Sequence, residues 1–138
     1  MKRRALGALT MATGLALSAC ISSPPASCRS NEQFNIVDSL YFGGAYPDGV
    51  ITSEQWQQFV DRVVTPRFPE GLTVWQAAGQ YRTSAGIVQR EPSWVVQLIH
   101  PDNAQSETAI REIRSAYQDE FKQESVLRVR SRACIAFQ

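Results

Sequence analysis

With 138 residues, 43% of them hydrophobic, the chain has room for one small globular domain and not for two. Fourteen Lys and Arg against thirteen Asp and Glu leave a formal net charge of +1, which gives no support for nucleic-acid binding, since that function asks for a strongly basic face. Three Cys and one His are too few soft ligands for a zinc or iron centre. Neither C-x-x-C nor H-E-x-x-H occurs, and no metal or cofactor is expected.

The N-terminus reads as a targeting segment. Lys2, Arg3 and Arg4 are basic, and Ala5 to Leu17 form an apolar run too short to span a bilayer. Leu17-Ser18-Ala19-Cys20 follows, and the whole series resembles the lipobox of bacterial lipoprotein signal peptides. The resemblance implies a signal peptide over residues 1–19, cleavage before Cys20, and acyl chains such as palmitate on that thiol and the new amino terminus. Each buried CH₂ contributes about 0.8 kcal/mol, so more than one chain makes a stable anchor. Ile21 rather than Asp after the anchor resembles sorting to the outer membrane, facing the periplasm. Residues 20–32, with Ser22-Ser23-Pro24-Pro25-Ala26-Ser27, read as a tether, and residues 33–138 as the folded domain.

Phe34 to Phe42 is the first predicted strand, with Phe34, Ile36, Leu40 and Phe42 on one face and Asp38 interrupting it. Gly43-Gly44 and Pro47-Asp48-Gly49 supply turn chemistry. Thr52 and Gln55 form a capping box for a helix, and Ile51 can staple onto Trp56. Trp56, Phe59, Val60, Val63 and Val64 keep helical spacing until Pro66 ends it. Leu72 to Tyr81 and Ser93 to Ile99 read as two middle strands whose apolar residues fall on both faces. The connection from Thr83 to Pro92 is long for a hairpin and suggests a bulge or a twisted arm. A second helix, capped by Asp102 or Asn103, carries Ile110, Ile113, Tyr117 and Phe121 and runs to about Gln123, with Glu107 and Arg111 as an i,i+4 pair. Val126 to Phe137 is the last strand, with Arg128, Arg130 and Arg132 along one face.

The order strand, helix, strand, strand, helix, strand is the split βαβ pattern of α+β ferredoxin-like folds, with a four-stranded antiparallel sheet and two helices on one face. That topology sets the start of the first strand beside the end of the last, and so Cys28 near Cys134. In an oxidising compartment a Cys28–Cys134 disulfide is the main reading. Two free buried thiols, or Cys28 held out of reach in the tether, are the alternatives. The helix-free face carries Trp75 or Trp94, according to register, and by analogy with other domains of this fold it is expected to form a homodimer.

The chemistry is thin. No G-x-S-x-G occurs, and His100, at a strand end before Pro101, reads as a capping or surface residue. Gly43-Gly44 is too short for a phosphate cradle and reads as a strand-ending turn. The most function-like group is Arg67, Gln80, Arg82, Arg90, Glu91, Glu124 and Arg128, which could gather around the hairpin and bind a carboxylate through arginine. The alternative is that Glu91 and Glu124 pair with arginines to hold the hairpin. The arginine row reads as edge-strand charge that blocks further pairing.

Pro47-Asp48-Gly49, Trp56, Pro66-Arg67-Phe68-Pro69, Gly71-Leu72-Thr73, Gly79-Gln80-Tyr81, Arg90-Glu91-Pro92-Ser93 and Gln123-Glu124-Ser125-Val126-Leu127-Arg128 together resemble a bacterial family of small exported proteins, domain of unknown function 3574. Tyr81 stands where that pattern more often has Trp. The resemblance implies export, often as a lipoprotein, and supplies no catalytic residues. The resulting expectation is a non-enzymatic domain tethered in the cell envelope, binding a small ligand or an envelope protein. A small enzyme with a cavity between sheet and helices, and a purely structural envelope component, are the alternatives.

Overall fold

The computed structural model describes residues 27–46 and 49–137. The expected signal peptide, Cys20, the tether up to Ala26, and Pro47-Asp48 lie outside the described residues. The elements are β1 (Gln33–Gly43), α1 (Ser53–Phe59), β2 (Thr73–Arg82), β3 (Val88–His100), α2 (Ala104–Phe121) and β4 (Leu127–Ile135). The four strands form one antiparallel sheet in the order β2-β3-β1-β4. A short ladder between Ala45–Tyr46 and Gly49–Val50 leads from β1 towards α1.

Local rules account for both helices. Thr52 and Gln55 make the reciprocal capping box, and Ile51 is buried in the same cluster as Trp56. Beyond Phe59 the helix widens into a π-helical turn, Val60–Val64, which keeps Val60, Val63 and Val64 in the core before Pro66. Asn103 caps α2, its side-chain oxygen accepting from the Ser106 N–H at 2.8 Å. The helix stops at Phe121 rather than Gln123 because Lys122 adopts φ 53°, a left-handed cap. Glu107 does not pair with Arg111, since its carboxylate is taken by Arg128 on β4.

Register decides which residues face the helices. Phe42 stands opposite Trp94, and Leu40 opposite Val96 and Arg128. The even-numbered side therefore carries Leu40, Phe42, Trp94, Val96 and Leu98 into one core with Trp56, Phe59, Ile110, Ile113 and Tyr117. Trp94 stacks on Trp56 with ring centroids 5.0 Å apart. Trp75 stands on the other, helix-free face and is 41% exposed.

Asp38 does interrupt the apolar face, and a charge network resolves it. Its carboxylate accepts from Arg128 Nε and Nη2, each at 2.7 Å, and faces His100 Nε2 at 2.8 Å. His100 Nδ1 faces the Pro101 carbonyl oxygen at 2.9 Å. Both ring nitrogens thus face oxygen atoms, and the ring is held between Asp38 and the chain turn at Pro101. His100 is accordingly a buried residue, not the surface or capping residue expected, because its partner lies 62 positions away in sequence. Arg128 also donates to Glu107, and these bonds, Asp38 first, raise its pKa.

The register Phe34–Cys134 brings the two ends of the domain together, and Cys28 is bonded to Cys134 with Cα atoms 5.4 Å apart. The bond links residues 106 apart in sequence, for which the chain-entropy model gives about 4–5 kcal/mol.

Candidate functional site

The β2–β3 hairpin is longer than its apolar residues suggest. β1 pairs with β3 only as far as Gly43–Ser93, whereas the β2–β3 ladder runs on to Arg82–Val88. The expected ten-residue connection and its bulge are absent: the pairing is continuous, and only Thr83 to Ile87 lies between the strands. Gly86, at φ 83°, makes that turn, closed by the Thr83 N–H donating to the Ile87 carbonyl at 2.9 Å. The free arm then curls over the end of β1. Glu124, in the loop between α2 and β4, pins its tip by accepting from the Ser84 N–H at 3.3 Å and hydroxyl at 3.2 Å.

Between the arm and that loop lies a hollow of about 210 Å³ on the helix-free side. Tyr41, Gly43 and Ser93 form its floor, Gly79, Gln80, Tyr81 and Glu91 one wall, and Gln123, Glu124, Ser125 and Leu127 the other. Glu91 is its central group. One carboxylate oxygen accepts from the Ala45 N–H at 2.6 Å. Gly43 makes this possible, because a Cβ there would stand 2.5 Å from Glu91 Oε1. Gly44 faces the other way, where a Cβ would meet the Pro92 carbonyl oxygen at 2.7 Å and the Trp94 ring at 2.9 Å. The glycine pair is thus a double clearance, one side for a carboxylate and the other for the core. The segment is clamped further by Tyr117, whose hydroxyl donates to the Gly43 carbonyl at 2.7 Å, and by the Gln123 amide, which donates to the Ala45 carbonyl.

Burial pushes the Glu91 carboxyl above the ordinary carboxylate range, outweighing the N–H groups of Ala45 and Gly44 that favour its charge. Burial, with the negative charges of Glu91 and Glu124, likewise raises the Tyr81 phenol. The arrangement offers a carboxyl able to take or give a proton, a phenol held in its hydrogen-bonding form, and a second carboxylate.

Of the seven residues expected to gather, the structure brings Gln80, Glu91 and Glu124 to the hollow. Arg90 is on the arm's opposite side and donates to Gln80 at 3.3 Å. Arg82 donates to the Gly86 carbonyl in the turn, Arg67 pairs with Glu112 at 3.0 Å beside the helices, and Arg128 belongs to the Asp38 network. Among the described residues no arginine lines the hollow, so a carboxylate-binding role for it is set aside. Arg130 and Arg132 both pair with Asp102 across the edge strand. Among the described residues, Cys28, Glu32 and Cys134 have metal-like spacing, but the two sulfurs form the disulfide. Tyr41, Tyr81, Ser93 and Gln123 line the hollow but are not among the residues expected at a site from sequence. The available signal was that Gly79-Gln80-Tyr81, Arg90-Glu91-Pro92-Ser93 and Gln123-Glu124-Ser125 stand among the stretches that carry the family resemblance, and all three converge here.

Residues 37–137 match the model of the family described as "Protein of unknown function (DUF3574)". The chain belongs to this family. No curated protein matches it. Among solved structures, this family member resembles phage SAM lyase in complex with S-methyl-5'-thioadenosine, with a TM-score of 0.56 and 15% identity over 83% of this chain and 97% of that one. It also resembles phage SAM lyase in the apo state, with a TM-score of 0.50 and 18% identity over 83% and 98%. At these identities the likeness is one of fold. It corrects the expectation of a non-enzymatic interaction domain, because the solved neighbours that share this fold are an enzyme.

Proposed function

We propose that this member of the family is a small enzyme whose active site is the hollow at the curled hairpin arm, with Glu91 as its acid–base group. The observation that carries the reading is the Glu91 carboxyl, raised by burial, facing a hollow beside Tyr81 and Glu124. Two carboxylates and no arginine suit a ligand that is neutral or cationic rather than acidic. SAM, which carries a sulfonium cation, meets that condition, and the likeness to phage SAM lyase makes it the substrate class we infer. We read the strand order β2-β3-β1-β4, with a helix in each crossover, as the ferredoxin-like arrangement, consistent with this likeness. The enzyme is further proposed to be exported and held at the membrane through Cys20. A chain carrying Cys20→Ser that remained in the membrane fraction would contradict that anchor.

The test of activity is incubation of the purified chain with SAM, following release of S-methyl-5'-thioadenosine by chromatography. Glu91-dependent release supports the assignment, with Glu91→Gln lowering the rate by about 10²–10⁴-fold, the usual worth of general acid–base catalysis. Absence of both turnover and saturable binding of SAM overturns it.

A further inference from the structure

We propose that the helix-free sheet face is covered by a second copy of this chain, and that this copy completes the hollow at Glu91; the proposal rests on the reading of that hollow as an active site. The constant register of all three strand pairings puts every odd-numbered strand residue on this face. Five large apolar residues there remain exposed: Tyr41, Trp75, Ile99, Leu127 and Val129. Along these strands the face carries one charged residue, Glu91, and it belongs to the hollow.

That composition selects the occupant. A lipid surface or a nucleic acid would need cations, and the arginines of β4 are on the opposite side, paired with Asp38, Glu107 and Asp102. A two-fold pairing sets a patch against itself, so like charges meet unless the patch is uncharged, as this one is outside the hollow. The hollow and the face are also continuous, because Tyr41 and Leu127 belong to both. At about 210 Å³ the hollow is smaller than the roughly 300–1,000 Å³ of ordinary ligand pockets, and it opens on this face. A copy seated there would supply the missing wall.

Trp75 is a built-in reporter. Trp56 and Trp94 are buried, so Trp75 alone is open to a soluble quencher. The experiment measures mass by sedimentation and tryptophan quenching by acrylamide on the purified full chain across a dilution series, beside Val129→Glu. Val129 is 48% exposed and lies outside the hollow, so the charge leaves the fold and the Glu91 wall intact, which circular dichroism checks. The expected result is a dimer whose Trp75 is shielded and becomes quenchable on dilution. Val129→Glu should weaken association at least tenfold and lower affinity for S-methyl-5'-thioadenosine in parallel. A monomer with Trp75 open at all concentrations overturns the second copy. A monomer with Trp75 shielded also overturns it, in favour of the chain's own N-terminal residues as the cover. If that monomer binds S-methyl-5'-thioadenosine, the active-site reading stands alone. A dimer that Val129→Glu dissolves but that binds neither SAM nor S-methyl-5'-thioadenosine overturns the active-site reading and leaves the pairing.

Discussion

Two carboxylates in this small domain sit in opposite circumstances. Asp38 is fully buried and surrounded by donors, two from Arg128 and one from His100, while Arg128 in turn reaches Glu107. Glu91 is only partly buried, is served by backbone N–H groups with no cationic partner, and faces a hollow shared with Tyr81 and Glu124. A carboxylate whose oxygens are taken up by donors has no capacity left for a ligand. One that burial penalises and donors under-serve retains that capacity. Hydrogen-bond saturation, rather than burial or charge, separates the structural acid from the candidate catalytic one.

The comparison breaks most severely at the Asp38 end. Arg128→Ala strips Asp38 of two of its donors inside the core, and an uncompensated buried charge costs about 3–5 kcal/mol. Chemical denaturation should show this as a lower midpoint with an unchanged slope. A loss below about 1 kcal/mol would mean that Asp38 is not the structural acid described here. The disulfide belongs to the same structural account. Replacing Cys28 and Cys134 together with Ser should cost about 2–5 kcal/mol in the same measurement, because the unfolded chain regains the freedom of a closed loop of over a hundred residues.

The Glu91 end predicts a smaller effect with a sign of its own. Because its carboxyl is raised above the ordinary 4.5, the folded chain holds that proton to a higher pH than the unfolded chain does. Between the two values the folded state binds more protons, so this group's contribution makes stability fall as pH rises. Above the folded value the penalty is complete. Glu91→Gln should remove that descent, seen as a flatter melting temperature between mildly acidic and neutral pH. A descent of unchanged slope would show that the carboxyl is not raised. Tyr81 faces the same hollow and Tyr117 lies beneath it; the charge of Glu91 helps to raise both phenols, but both titrate far above this range, so the difference isolates Glu91.

Much of this contrast follows from how far apart interacting residues lie in the chain. α1 was legible because its cap, staple and apolar spacing all fall within thirteen residues of Ile51, and β1 because alternation is local. Asp38 was visible as an interruption, but its partners are 62 and 90 residues away, so His100 read as a surface residue and Arg128 as an edge charge. Trp75 and Trp94 could be assigned to opposite faces only once the register with β1 was known. The hairpin arm misled for a different reason. Beyond Ser93 it has no β1 neighbour and no helix above it, so its residues need not alternate, and Arg90-Glu91-Pro92 reads as loop. The hollow depends on that arm and on Glu124 reaching Ser84 across 40 residues, which is why only Gln80, Glu91 and Glu124 of the expected group belong to it.

The adjacent glycines at the end of β1 provide the finest test, because one looks into each region. Neither has a positive φ, so alanine is tolerated by the backbone at both and only the surroundings differ. At Gly44 a Cβ meets the Pro92 carbonyl and the Trp94 ring, neither of which can move without disturbing β3 or the Trp56 stack. Gly44→Ala should therefore cost about 1–3 kcal/mol, as overpacking does. At Gly43 the Cβ meets only the far end of Glu91, which can swing aside. The gain of up to about 1 kcal/mol from a stiffer unfolded chain then offsets most of what is lost, and stability should stay nearly unchanged. The carboxylate, however, must leave the Ala45 N–H, one of the donors that favour its charge, so its pKa should rise further and ligand affinity should change. A Gly43→Ala protein as stable as the parent, but with the pH dependence of binding moved upward, would separate the hollow's chemistry from the fold's stability. If the two glycines instead cost the same and leave binding alike, Glu91 is one more packing contact and the distinction between the two acids fails.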